Sequence, residues 1–345
     1  MYLFLLSFLI SFTLSISIIK FRYGLDRGRD SKSHAVHSDE VSRMGGIAIF
    51  VAIFLIVFLY LNQYTPILIA TFPIFTFGFL EDRHHMDITY VKKIIFLFLS
   101  SIAITYFSKE YAIDGGFIQL STDINIEKYI AIGITLISFV GFSSAVNFID
   151  GLHGYSMGVV LITLSIFSYI FYNNGLLDIF YFSILILGAI FGFFILNFPQ
   201  GKIFLGDMGA HFIGFIVVYL SIYLTNHTDI SLWFPLTALS IPVIETFVTI
   251  YRRRERKRRE GIQFSISENG HLHHLILGFL KKYLSVQNLN ATTSSIILLW
   301  HLILNLISFY YRYTYEVLIL IFLINIGIYL CLYRKLQQYR IEDEI

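Results

Sequence analysis

Apolar runs of bilayer length recur along the whole chain, separated by short polar breaks. An α-helix needs about 20 apolar residues to cross roughly 30 Å of hydrocarbon. The pattern predicts eleven spans, at 1–20, 44–62, 65–80, 94–108, 128–147, 154–172, 177–197, 210–225, 231–251, 293–311 and 314–333. Several are short, which implies local thinning of the bilayer or extension into flanking polar residues. No polar stretch is long enough for a soluble domain. The expectation is therefore a single all-α, polytopic integral membrane domain over 1–345. The first run has no basic segment before it and no small-residue cleavage pattern after it, so it reads as a retained helix.

Composition agrees with this pattern. The chain is 56% hydrophobic and 14% charged, where ordinary soluble domains are about 25% charged. Charge then sets an orientation. With the N-terminus outside, 22 of the 25 basic residues fall on the inner side, and only Lys109, Lys128 and Arg312 fall outside. Basic residues are enriched in cytoplasmic loops, so the C-terminus is expected in the cytoplasm. The only cysteine, Cys331, lies in the last apolar run, excludes an intrachain disulfide, and is expected to be buried in a helix.

This orientation gathers five polar segments on one side: 21–43, 81–93, 147–154, 198–210 and 252–292. Carboxylates beside a bilayer are expensive, so their repetition at helix ends points to a shared polar site. Asp207, in Phe204-Leu205-Gly206-Asp207, could cap a helix beginning near Ala210. With its partner motifs it reads better as a ligand for a hard divalent cation. Glu81 and Asp82 end the third span, where adjacent carboxylates could be solvated or could orient a metal or act as base toward a phosphate. Asn147 and Asp150 share a face if their helix continues that far, and could bind a nucleoside, a sugar or a phosphate-bound metal.

His271, His273 and His274 open an amphipathic interfacial helix. No cysteine or H-E-x-x-H pattern supports zinc there, so hydrogen bonding to phosphate is the better reading. Arg252 to Arg259 form a basic run best explained as a topology anchor near anionic lipid. His37 and Arg43 sit in the first inner loop, before a Gly45-Gly46 pair that would permit close backbone approach. Glu245, inside the ninth span, is a functional candidate because a buried acid in a membrane is costly.

These motifs, in this order, resemble the polyprenyl-phosphate N-acetylhexosamine-1-phosphate transferases, the WecA/TagO/MraY superfamily of glycosyltransferase 4 type. His37 to Gly46 looks like the family's His and Arg-x-Gly-Gly loop, and Glu81-Asp82 falls at its Asp-Asp motif. Ser144 to Gly151 falls at its Asn-rich, Asp-Gly motif. Phe204 to Gly209 looks like its metal-binding Phe-x-Gly-Asp element. His271 to His274 looks like the His-x-His-His signature of the WecA-like branch, which disfavours a peptidoglycan-precursor substrate. Glu81, Ser144, His153 and Asn269-Gly270 depart from the usual pattern.

The resemblance implies transfer of an N-acetylhexosamine 1-phosphate from a UDP-sugar to undecaprenyl phosphate, with release of UMP. The UDP-sugar would be UDP-GlcNAc or a relative, and the product would start a cell-wall or O-antigen glycan. It further implies Mg²⁺, replaceable by Mn²⁺, on Asp207 and Asp82. Catalytic roles would fall to Glu81, Asp82, Asp150 and Asp207, and substrate binding to His37, Arg43, Asn147, His271, His273 and His274. The expected setting is the bacterial cytoplasmic membrane with the site facing the cytoplasm, no nucleic-acid partner, and a homodimer as one permitted assembly. The alternative is a secondary transporter of an anionic solute, although transporters bind near the midplane on paired repeats and the polar groups here lie at helix ends.

Overall fold

The computed structural model describes residues 2–26, 41–84, 90–112, 125–261, 270–284 and 288–340. His37 and Asn269 lie outside these residues. The chain opens with α1 (Tyr2–Lys20), two short strands β1 (Leu25–Asp26) and β2 (Val41–Ser42), and α2 (Gly45–Tyr60). There follow α3 (Thr65–Ala70), α4 (Phe72–His84), α5 (Tyr90–Ser108), α6 (Asn125–Phe148), α7 (Tyr155–Asn173) and α8 (Leu177–Asn197). The remainder forms α9 (Gly206–Asn226), α10 (Trp233–Ala238), α11 (Ser240–Glu260), α12 (Leu272–Tyr283), α13 (Leu289–Tyr310) and α14 (Tyr315–Leu336). The protein is an all-α polytopic membrane protein.

Every one of the eleven predicted spans coincides with helix. Among the described residues, eight helices are long and apolar enough to cross a membrane. A ninth span is the pair α3 and α4, bent by 53° at their junction, and α2 is a shorter apolar helix. The predicted span 231–251 is likewise two helices, broken at Leu239, and α11 runs past it into the arginine-rich stretch. Proline explains where these breaks fall. Pro66, Pro73, Pro235 and Pro242 each stand in the first turn of α3, α4, α10 and α11. A first turn tolerates the missing N–H, whereas an interior turn does not.

Helix α9 is the hub, with 89% of its apolar window buried, whereas α14 has 17%. Leu320, Leu323 and Ile324 on α14 are exposed, as are Ile95, Leu99 and Ile102 on α5. Such outward apolar faces suit a hydrocarbon solvent, in which the helical backbone satisfies itself internally. Cys331 lies on α14 as expected, but it is exposed, not buried, because the helix turns that face away from the bundle.

The hub meets α6 along two polar rungs. Asn147 Nδ2 donates to Asp207 Oδ1 at 2.8 Å, and four residues deeper Ser143 Oγ lies 2.8 Å from His211 Nδ1. Residues four apart stack on one helix face, so the rungs align the two helices. Beside them, β1 and β2 pair antiparallel, and Ser42 also bridges Ile203 in parallel. Phe204 N–H donates to Ser42 O (2.7 Å), Gly45 N–H to Phe204 O (2.9 Å) and Gly46 N–H to Leu205 O (2.8 Å). The backbones come so close that a Cβ on Gly46 would lie 2.6 Å from Gly209 Cα. The paired glycines thus permit the approach expected of them. This stitching fixes the segment carrying Arg43 against the start of α9.

Candidate active site

The N-terminal turn of α9 is held by a side chain from another helix. Asp82, on α4, accepts from Asp207 N–H through Oδ1 and from Met208 N–H through Oδ2, both at 3.1 Å. The first N–H groups of a helix lack intrahelical partners, and a carboxylate there also meets the positive end of the helix dipole. The helix begins at Gly206, so Asp207 lies inside its first turn and is not the cap that its motif would allow alone. Gly206 has φ +78°, and a Cβ there would lie 2.2 Å from Arg43 O and 2.6 Å from Asp82 Oδ2. Only glycine meets both demands without strain.

Held in this way, the Asp207 carboxylate faces three partners. Lys93 Nζ on α5 lies 3.1 Å from its Oδ2, Arg43 Nη2 lies 3.6 Å from its Oδ1, and Asn147 supplies the rung described above. Lys93 Nζ lies equally 3.1 Å from Glu81 Oε2, and Arg43 Nε lies 3.7 Å from Asp82 Oδ1. Three carboxylates and two cations therefore form one cluster at one end of the bundle. The Glu81 and Asp207 side chains keep 25% and 19% exposure, while Asp82 keeps 1%. The first two can meet a substrate, and the third faces the protein.

The adjacent acids present their oxygens differently. Both Asp82 oxygens are engaged by backbone N–H groups. Glu81 Oε2 and Asp207 Oδ2 instead converge on a single cation position, held by the Lys93 ammonium. No group of three or more His, Cys, Asp or Glu poised around a metal occurs among the described residues. Mg²⁺ is commonly held by one or two carboxylates with substrate phosphates completing the shell, so two convergent carboxylate oxygens fit it.

A second cluster abuts the first through the turn after α6. The helix stops at Phe148, and Asp150 lies in the turn that follows. Asp150 turns back to accept a short hydrogen bond from Ser156 Oγ. Burial pushes its carboxyl up to about 6, against the opposing pull of Ser156 and Arg43. The next residue, Gly151, abuts the histidines, since a Cβ there would lie 2.5 Å from His273 Nε2 and 3.0 Å from His274 Nε2.

His271, His273 and His274 start α12, as their amphipathic pattern predicts. Their rings pack on one another at 4.2 to 5.8 Å, with Phe148 beside His271 and Tyr155 beside His273. Neither ring nitrogen of His273 has a hydrogen-bond partner among the described residues. Burial holds the His273 imidazole well below its usual range, and the neighbouring histidines add to that.

Three basic residues at the site lie outside the motifs. Lys93 was legible only as one inner-side basic residue among many. The available signal was its place at the start of an apolar span directly after the Glu81-Asp82 break. Arg252 and Arg253 belong to the basic run that the sequence marks as a lipid anchor. Instead Arg252 donates to Gly270 O and reaches Tyr333 Oη at 3.2 Å, and Arg253 is buried with its guanidinium 5.1 Å from the Phe148 ring. The first two arginines of the run brace the histidine segment, and Arg254, Lys257, Arg258 and Arg259 remain exposed.

Residues 64–225 match glycosyl transferase family 4. The chain is 31% identical over 237 residues to a phospho-N-acetylmuramoyl-pentapeptide-transferase of Bacillus cytotoxicus, covering 63% of this chain and 73% of that protein. The chain belongs to glycosyl transferase family 4. It is also 29% identical over 250 residues to a probable undecaprenyl-phosphate N-acetylglucosaminyl 1-phosphate transferase of Bacillus subtilis, covering 71% of this chain and 68% of that protein. A phospho-N-acetylmuramoyl-pentapeptide-transferase of Anoxybacillus flavithermus is 26% identical over 236 residues. The family match spans Glu81, Asp82, Lys93, Asn147, Asp150 and Asp207, and stops before the histidines.

Proposed function

We propose that this protein transfers an N-acetylhexosamine 1-phosphate from a UDP-sugar to undecaprenyl phosphate and releases UMP. The observation that carries this reading is the convergence of Glu81, Asp207, Lys93 and Arg43 at one end of the bundle. Phosphoryl transfer demands mainly positioning and charge stabilisation, and such a cluster supplies both. Names of similar proteins from both branches support the class of reaction. Membership of a transferase family also weighs against the transporter alternative.

Asp207 and Glu81 would hold Mg²⁺, which supplies neutralisation of phosphate charge when bound. Asn147 fixes the rotamer of Asp207 by donating to Oδ1. Asp82 anchors the backbone that presents Asp207 and has a positioning role in place of the ligand role expected from sequence. Arg43 and Lys93 balance the carboxylates in the free enzyme and are within reach of an incoming pyrophosphate. The attacking lipid phosphate has a second pKa near ~6 and is largely dianionic at neutral pH, so Glu81 orients it more than it deprotonates it. Asp150 and the histidines would recognise the nucleotide sugar. The 22-to-3 bias of basic residues supports a site facing the cytoplasm of a bacterial inner membrane.

The test is release of UMP by purified protein with Mg²⁺, undecaprenyl phosphate and a panel of UDP-sugars. Turnover with UDP-N-acetylhexosamines is expected. Turnover restricted to UDP-N-acetylmuramoyl-pentapeptide would transfer the reading to the other branch, and none with any donor would overturn it.

A further inference from the structure

The buried acid that the sequence marks as costly, Glu245, stands behind the histidine cluster and faces no substrate. It lies on α11 with 1% exposure. Its Oε1 meets His271 Nδ1 at 2.9 Å. Its Oε2 accepts from Leu272 N–H at 3.2 Å and from the Tyr329 hydroxyl of α14. Thr249 Oγ1 lies 3.3 Å from the same His271 nitrogen. Every neighbour of the carboxylate is thus a donor, as an ionised acid requires.

A carboxylate cannot donate, so His271 must carry its proton on Nδ1. Nε2 is then the unprotonated nitrogen, and it has no hydrogen bond to a described residue. Such pairing of an imidazole with a carboxylate behind it sets tautomer and ring orientation in many active sites. We propose that Glu245 is a positioning residue that fixes the tautomer of His271 and so presents an acceptor nitrogen to a hydrogen-bond donor of the substrate, an amide N–H or a hydroxyl of the sugar. This rests on the transferase reading for the identity of the substrate. Burial lowers the His271 pKa despite the adjacent carboxylate, which favours the neutral ring. A neutral Nε2 acceptor does not suit a phosphate oxygen, which also only accepts. The phosphate partner expected for this histidine therefore gives way to a donor group on the sugar.

Glu245→Gln is a sharp probe because its amide has one allowed orientation. Leu272 N–H is fixed in the backbone and needs an acceptor at the Oε2 position. The amide nitrogen must therefore take the Oε1 position, against His271 Nδ1. It donates there, His271 must accept, and its proton moves to Nε2. The volume is unchanged, but the nitrogen offered to substrate changes from acceptor to donor. Wrong-tautomer substitutions of this kind in catalytic triads cost about 10⁴-fold. For a histidine that recognises substrate, a loss of about 10²-fold in kcat/KM is expected.

The experiment uses full-length protein in detergent, labelled with ¹⁵N-histidine, with the His271 signals assigned by their loss in His271→Asn. The wild type is expected to show the Nδ1–H tautomer and Glu245→Gln the Nε2–H tautomer at a similar Tm. Glu245→Asp and Tyr329→Phe should keep Nδ1–H, and both should retain more activity than Glu245→Gln. Adding UDP-GlcNAc to the wild type should shift the Nε2 resonance. An Nε2–H tautomer in the wild type overturns the proposal without recourse to any variant. So does a flipped tautomer in Glu245→Gln with UMP release within about threefold of wild type. If no UDP-sugar yields UMP even in the wild type, the transferase reading fails, while the tautomer spectra still decide the role of Glu245.

Discussion

The carboxylate cluster and the histidine cluster touch through the turn at Asp150 and Gly151, yet they are built on opposite electrostatic plans. Around Asp207, opposite charges lie within 4 Å of one another and remain partly open to solvent. Around His273 the rings are buried, and among the described residues their carboxylate contact comes from behind, from Glu245. The first plan suits a substrate that brings charge, because the existing ion pairs can exchange partners. The second suits a polar group that can pair with the imidazoles, because a buried polar group left without a partner is costly. On the proposed reading, the ion-pair cluster would meet the pyrophosphate and the histidine cluster, backed by Glu245 and braced by Arg252, would meet the sugar.

The charged half is broken most completely through its centre. Asp207→Asn keeps the Asn147 rung but removes the charge that balances Lys93 and Arg43. Loss of one preorganised electrostatic contact costs about 10²–10³-fold, and loss of the metal ligand with it places the expected fall in kcat at or above the upper end. UMP release by folded variant and wild type measures it. Near-normal turnover would remove Asp207 from the proposed centre.

A finer cut separates the adjacent acids. Glu81→Gln should lower kcat by about 10²-fold with little change in Tm, since Glu81 bonds no backbone group among the described residues. Asp82→Asn should act first on stability. Its amide can accept from only one of the two N–H groups that Asp82 serves, and leaving a buried donor unpaired costs about 1–3 kcal/mol. Thermal unfolding together with kcat distinguishes the two. A stable, inactive Asp82→Asn would return the direct role to Asp82.

The junction gives a pH-dependent test. The Asp150 carboxyl is raised to about 6 from the usual carboxylate value by burial. The native state therefore binds the proton more tightly than the unfolded state. The protonated form's stabilisation is fully present below about pH 4 and is lost as pH rises through about 6. Above that, the buried charge costs on the order of 2–3 kcal/mol. Asp150→Asn, which can still accept from Ser156, should unfold at a higher temperature than wild type at pH 8 and at a similar temperature at pH 4. It should also lose activity. An equal offset at both pH values would contradict the assigned titration.

Much of this was legible because bilayer physics is severe. Apolar length marked every helix used as a span, and the cost of acids at the membrane edge marked Glu81, Asp82, Asp207 and Glu245. The break at Leu239 was less visible, because Pro235 and Pro242 sit inside one apolar run and hydropathy does not register a lost N–H. The division of labour between Glu81 and Asp82 was invisible for another reason. Adjacent residues on a helix point about 100° apart, and only the packed partner, here the start of α9, shows which one faces inward. Lys93 and Arg253 were hidden by their charge, which topology alone already explained.

The gentlest test asks whether the charged half can exchange its partners. In the wild type the Lys93 ammonium already bridges Glu81 and Asp207, so a divalent cation added without nucleotide competes with a tethered one. Lys93→Gln removes the competitor and leaves two carboxylates facing each other. The variant should be less stable than wild type in EDTA, because paired acids lose their counter-charge. It should then recover on titration with Mg²⁺, since a ligand that binds only the folded state stabilises it by RT ln(1 + [L]/Kd), about 1.4 kcal/mol at roughly ten times Kd. The wild type should gain less over the same titration. Differential scanning fluorimetry in detergent, with no substrate present, measures this independently of turnover. Equal Mg²⁺ responses in the two proteins would mean that the cation does not use the position held by Lys93, and Glu81 would lose its place as second ligand.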